Sequence, residues 1–240
     1  MKRLLACGPV AVALAVAGCD GTPTDPLLRP SFDRGGGQGV NLHPSAFGEG
    51  ALTAWKPHEG EPDSKGNGDF ALYFQKMTTT ATVSAGVAVI TGVEGQLVSV
   101  LTDATSVLSW ESRDDGHCGN GAPRWDIFIT GANPANSYTV FLGCNAASGA
   151  AQSAGSESGW TLDAWSGTAI AGQVGAAGTA AAASGCSTCS AADALNGTIS
   201  GLIIVFDEGT DTGPDFTGFV FLDNITVNAK IFTSPGDNGT

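Results

Sequence analysis

Residues 124–142, RWDIFITGANPANSYTVFL, decide the fold class. Side chains alternate between the two faces of a strand. In Arg124–Thr130 that places Trp125, Ile127 and Ile129 on one face, with Arg124, Asp126 and Thr130 on the other. Tyr138, Val140 and Leu142 share a face of Ser137–Leu142. The intervening GANPANS carries turn residues, so the two runs read as a β-hairpin. Outward from this hairpin, short apolar runs alternate with Gly, Asn, Asp and Ser clusters. Further strands are expected at Phe70–Lys76, Ala81–Ser84, Val87–Thr91, Gln96–Leu101, Val107–Ser112, Gly159–Ala164, Thr198–Phe206 and Gly218–Asn228. Leu202–Phe206 is apolar on both faces, which predicts a central strand. About ten strands without a clear helix point to an all-β, two-sheet antiparallel sandwich of jelly-roll type.

Composition agrees. Glycine accounts for 35 of 240 residues and charged residues for only 14%, a balance that suits turn-rich β structure better than a helical bundle. The sandwich is expected over residues 47–230, with a C-terminal tail at 231–240. Residues 146–192 are dominated by Ala, Gly and Ser. Loop, weak strand pair and short helix all remain open for GQVGAAGTAAAASG. Repeated glycine disfavours the helix by about 1 kcal/mol each relative to alanine, and a long surface excursion is the preferred reading.

The N-terminus resembles an export signal. Lys2 and Arg3 precede an apolar run, LLACGPVAVALAVAGC, that is short for a membrane span. Its end, Val16-Ala17-Gly18-Cys19, resembles the lipobox of bacterial lipoproteins. That resemblance implies cleavage of residues 1–18, a lipid on Cys19, and a protein anchored in the bacterial cell envelope, periplasmic or at the surface. Asp20 resembles an inner-membrane retention signal of some two-membrane bacteria, so the membrane stays open. Residues 19–46 are rich in Pro, Gly and Asp and read as a flexible tether. The formal net charge is −13. Such a surface repels nucleic-acid phosphates and anionic headgroups, leaving the lipid as the contact with the membrane.

Of six cysteines, Cys118, Cys144, Cys186 and Cys189 lie beyond the lipobox. An even count in an exported chain reads as two disulfides. Three pairings are open; the local one is Cys118–Cys144 with Cys186–Cys189. Zinc at the lone Cys186-Ser-Thr-Cys189 is the competing reading.

Asp223 is the sharpest single residue. Its parity matches Phe219, Phe221, Ile225 and Val227, and a carboxylate on an apolar face requires a partner. The segment FLDNITV, residues 221–227, resembles the last strand of galactose-binding-like carbohydrate-binding jelly rolls. That resemblance implies a structural calcium ion on Asp223. Glu49, Asp63, Asn67 and Asp69 occupy the region that supplies the other ligands in that family. A cap on backbone amides is the alternative. The acidic loop 207–215 could also hold a hard cation, although a solvated turn is the simpler reading.

Residues 108–131, LSWESRDDGHCGNGAPRWDIFITG, followed by YTVFLGCN, resemble a pattern in uncharacterised secreted bacterial β-proteins, which implies a shared scaffold and no activity. Within it Asp114, Asp115, His117 and Arg124 could form a polar binding loop, beside a simpler role in holding a disulfide loop. Trp55, Trp110, Trp125, Trp160, Trp165 and Tyr73 offer rings for stacking on sugars. Trp110 and Trp125 have core parity, whereas Trp55 and Trp165 are expected to be exposed. The chain lacks GxSxG, HExxH and Walker A motifs. Glu111, opposite Trp110, is the best acid if an enzyme is demanded.

The expectation is a noncatalytic lipoprotein whose sandwich binds glycan or another extracellular polymer. A structural or adhesive module contacting an envelope protein is the second reading, and a polysaccharide hydrolase the third.

Overall fold

The structure, a computed structural model, describes residues 39–62, 68–79, 82–119, 121–144, 149–207 and 217–237. The leader, Cys19 and Asp63 lie outside them. Twelve strands occur among the described residues: β1 Asn41–Phe47, β2 Ala51–Lys56, β3 Ala71–Lys76, β4 Ala85–Thr91, β5 Val107–Arg113, β6 Arg124–Thr130, β7 Ser137–Gly143, β8 Ala151–Ala154, β9 Trp160–Ser166, β10 Thr198–Phe206, β11 Gly218–Val227 and β12 Lys230–Phe232. They form two antiparallel sheets. Sheet A has the order β1-β4-β10-β6-β7, and sheet B the order β2-β3-β11-β5-β9-β8, with β12 beside β11. The hairpin β6–β7 pairs Arg124 with Gly143 through Thr130 with Ser137. Strand β10 lies between β4 and β6, the central place its doubly apolar sequence requires.

The sheets close on one core. Trp110, Trp125 and Trp165 are fully buried in it, with Trp110 stacked on Trp125 and edge-on to Trp165. The Cys118–Cys144 disulfide ties the β5–β6 crossover to the end of β7, and Cys186–Cys189 is the second bridge.

Several boundaries differ from the sequence reading. Strand β1 lies inside the stretch expected to be tether, because it pairs along its length with β4. Strand β12 and the Thr233–Asp237 hydrogen bonds order much of the expected tail. The expected strand at Gln96–Leu101 is a turn followed by a short helix, α1 (Ser99–Thr102).

The largest correction concerns residues 146–192, which are not a surface excursion. They contain β8, β9, a 17-residue helix α2 (Gly167–Ala183) and α3 (Ala191–Leu195). The Ser166 side chain accepts from the Ala169 amide and caps α2. Its buried residues, Gly167, Ile170, Val174 and Gly178, recur at helical spacing. Two of its glycines therefore serve close packing. A Cβ on Gly178 would sit 2.2 Å from the Ser190 carbonyl oxygen at the start of α3. Gly172, by contrast, faces open space. Gly172→Ala should stabilise the protein by about 0.5–1 kcal/mol through backbone entropy, whereas Gly178→Ala should destabilise it. Chemical denaturation of the two variants checks this; equal effects would contradict the packing described.

Candidate binding face on the outer side of sheet B

The face is built by a β-bulge. Strand β11 begins with Val220 and Leu222 turned into the core and Phe219, Phe221 and Asp223 turned outward. Asp223 pairs with Glu111, but Thr226 pairs with Ser109, so β11 carries an extra residue there. Asn224, with φ of 46°, accommodates it. Past the bulge, Ile225 and Val227 face the core. Asp223 thus shares a face with Phe219 and Phe221 but not with Ile225 and Val227, which corrects the uninterrupted parity expected from sequence.

Cross-strand pairing assembles the rest. Tyr73 of β3 lies opposite both Ala54 of β2 and Phe221 of β11. Its ring centroid is 4.7 Å from that of Phe221 and 6.2 Å from that of Phe219. Trp160, opposite Arg113, packs with Phe221 and Ala71. The Arg113 guanidinium covers Phe221 at 3.7 Å from the ring centroid. It is held there by Glu59 and Asp115 at 2.6 and 2.7 Å. The Lys56 ammonium flanks Tyr73, at 5.6 Å from its ring centroid. Phe219 is 36% exposed and Leu52 39%, while Tyr73 is half-buried and donates its hydroxyl to Gln75. The result is a shallow aromatic strip with polar and cationic edges.

Beside it, one register step along, lies a buried carboxylate box. Asp223 accepts from the Asn224 amide at 2.7 Å and the Glu61 amide at 2.8 Å. Close approach of that loop requires Gly60, because a Cβ there would meet the Phe70 carbonyl oxygen at 2.2 Å. The turn between β8 and β9 closes the box from above. The Ser156 amide donates to Glu111 at 2.6 Å and the Glu157 amide to Glu61 at 3.0 Å. The Ser156 hydroxyl lies 2.7 Å from Glu61 and 3.0 Å from both Glu111 oxygens. The Asn224 side-chain amide reaches Glu61 at 2.6 Å and Glu111 at 3.3 Å. Every donor in these contacts is neutral.

Burial pushes the Asp223 carboxyl up to about 7, and the charges of Glu61 and Glu111 add to this against the pull of the two amides. Glu61 is raised chiefly by burial, with Glu111 contributing.

The residues expected to bind are distributed differently. Trp165 is fully buried and cannot stack on a sugar: β9 continues through it, and its pairing with Leu108 turns it into the core. Trp55 faces inward from β2 and is half-buried against the core. Asp114 accepts from Thr161, and Asp115 holds Arg113. His117 donates its backbone amide to Phe219. These three residues fasten the loop to sheet B, whereas Arg124 starts β6 in the other sheet and pairs with Asp126 and Asp207. Asp69 uses its carbonyl to hold Glu59 and Gly60, and Glu49 accepts from Thr78 at an exposed turn. The carboxylates that meet Asp223 are Glu61 and Glu111. The alternation Phe219, Phe221, Asp223 was a usable signal for the face. Nothing local marks Glu61 or Ser156.

No protein-family model and no curated protein matches the chain. Among solved structures, it is similar to one titled as a family 30 carbohydrate-binding module. That similarity has 11% identity and a TM-score of 0.38 and covers 77% of this chain and 78% of that one.

The raised carboxyl sets a pH dependence. A folded-state value of about 7 for Asp223 exceeds the ordinary value of about 3.9 in an unfolded chain. The native state therefore binds more protons between these values, and stability falls as pH rises from about 4 to about 7. Asp126, raised to about 6 by burial, acts in the same direction. The Asp223 share is isolated by comparing melting temperature against pH, in the presence of a chelator, for wild type and Asp223→Asn. The variant's profile should be flatter, and an unchanged profile would contradict the description of the box.

Proposed function

We propose that this chain is a noncatalytic glycan-binding module whose binding face is the outer side of sheet B, carried as a lipid-anchored protein of the bacterial cell envelope. The observation that carries the binding reading is the outward cluster of Tyr73, Phe219 and Phe221. A sheet in a sandwich needs only one packed face. Aromatic rings on the other face add nothing to the central core; here Phe221 is buried beneath Arg113, while Phe219 and part of Tyr73 leave apolar surface in water. A pyranose presents an apolar face to such rings and hydroxyls to the edges, where Gln75, Lys56 and Arg113 supply polar atoms. Glu111 does not favour the hydrolase alternative, since it is buried and its oxygens are engaged by Ser156 and Asn224.

A structural calcium ion enters the proposal through Asp223, Glu61, Glu111 and the Ser156 hydroxyl, an oxygen-only set suited to a hard cation. The Asn224 amide would have to turn its oxygen inward, an exchange its symmetric shape allows. Bound calcium would supply the positive charge that the neutral donors of the box lack.

Calorimetric titration against a panel of soluble glycans tests the binding face. Tyr73→Ala and Phe219→Ala should each weaken binding at least tenfold while preserving the melting temperature to within a few degrees. Phe141→Ala, on the outward side of sheet A, should leave binding unchanged. Binding that survives both sheet B substitutions would overturn the assignment. Chelation at pH 7 should lower the melting temperature of wild type but not of Asp223→Asn; an unchanged wild type removes the ion. Lipid labelling that persists in Cys19→Ala would remove the anchor.

A further inference from the structure

We propose that Asp163 is the built-in proton acceptor that activates Cys118 for formation of the Cys118–Cys144 disulfide. The inference stands apart from the glycan reading. Asp163 lies on the inward side of β9 and is fully buried. One carboxyl oxygen accepts from the Gln152 side chain at 2.7 Å; the other lies 3.3 Å from the Ser112 hydroxyl and 3.5 Å from Cys118 Sγ. Strands β5 and β8 and the Cys118 loop thus present only uncharged groups to it. Both cysteine sulfurs and a carboxyl oxygen lie within 4.8 Å of one another, the one such trio of Cys, His, Asp or Glu ligand atoms among the described residues. In the bonded state those sulfurs are spent, so the trio does not read as a metal site.

A disulfide sulfur carries no hydrogen. It can therefore only accept across the 3.5 Å contact, and Asp163 donates to it only when its carboxyl is protonated. The same contact places the carboxyl where it can take a proton from Cys118 before the disulfide forms. In the bonded structure Cys118 is partly exposed and Cys144 buried; with the same fold in the reduced protein, an external disulfide reaches Cys118 first. The Asp163 carboxylate takes the Cys118 proton. The resulting thiolate attacks one sulfur of the external disulfide, breaking its S–S bond and expelling a thiolate. Cys144 then gives its proton to that thiolate, attacks Cys118 Sγ and expels the second thiolate. Two cysteine thiols are oxidised and one external disulfide is reduced. Asp163 finishes neutral, hydrogen-bonded to the sulfur it deprotonated. Free thiols ionise near 8.5 and react as thiolates, so a base beside Cys118 matters most below that pH. Burial raises Asp163 toward that range, which brings donor and acceptor closer in strength.

The second disulfide is an internal control. Cys186 and Cys189 lie between α2 and α3, where, among the described residues, the Cys186 sulfur meets the side chains of Asn136 and Thr188, and the Asp193 carboxylate accepts from the Asn136 amide instead. The test reduces the folded protein, adds oxidised glutathione between pH 5 and 8.5, and quenches by alkylation, with closure of each disulfide read by mass spectrometry. Asp163→Asn should slow closure of Cys118–Cys144 at least tenfold below pH 7. The difference should shrink toward pH 8.5, and Cys186–Cys189 should close at the wild-type rate. Equal or faster closure of Cys118–Cys144 in the variant at every pH would overturn the proposal, as would equal slowing of both disulfides. Should the reduced chain lose its fold, infrared spectra of the oxidised protein decide. A protonated-carboxyl band near neutral pH must be present in wild type and diminished in Asp163→Asn; identical spectra overturn the proposal.

Discussion

The outward face of this molecule depends on the bulge at Asn224. Without it, β11 would keep one parity throughout, and either its aromatic start or its aliphatic end would point the wrong way. With it, Val220 and Leu222 before the bulge and Ile225 and Val227 after it all reach the core. Asp223 secures the irregularity by accepting from Asn224 on one oxygen and from the Glu61 amide on the other. One carboxyl thereby fixes the strand's geometry and draws the loop after β2 against the sheet. Its raised ionisation follows from the same burial that makes it effective as a bracket.

That bracket is one of three fastenings around sheet B. The loop after β5 is held by the Cys118–Cys144 disulfide, by Asp114 on Thr161, and by the His117 amide on Phe219. The turn above the carboxylates is held by Ser156 and Glu157. Together they surround the aromatic strip with fixed polar rims while leaving Phe219 partly open. Rigid rings cost little conformational entropy when they engage a ligand, so a fastened strip suits binding better than a mobile one. Helices α2 and α3 pack against each other, and α2 also packs on β7 and β9 and sends Ile170 and Val174 into the core, which gives the Ala-rich segment a structural task.

What sequence disclosed follows from the range of the forces involved. The β6–β7 hairpin, the central placement of β10 and the two disulfide pairs were legible, because alternation, apolarity and short cysteine spacing are local. Helix α2 was not. Its glycines lower helix propensity, yet Gly167 and Gly178 are there for backbone contacts with residues far along the chain or across a turn. Trp165 was misplaced for a related reason: its strand ends one residue later at the cap of α2, so the segment looked irregular. The bulge hid the outward face, since Asp223 seemed continuous with Ile225 and Val227. Glu61 and Ser156 reach the carboxylate box only through tertiary closure, and no local pattern announces them.

On the proposed reading, the bulged β11 and its neighbour β3 present the ligand-binding face. Amide chemical-shift mapping, with a glycan selected by its binding isotherm, tests it most directly. Shifts should concentrate at Tyr73, Gln75, Phe219 and Phe221, with the outward residues of β6 and β7 unmoved. Shifts confined to sheet A, or spread evenly over the molecule, would contradict it.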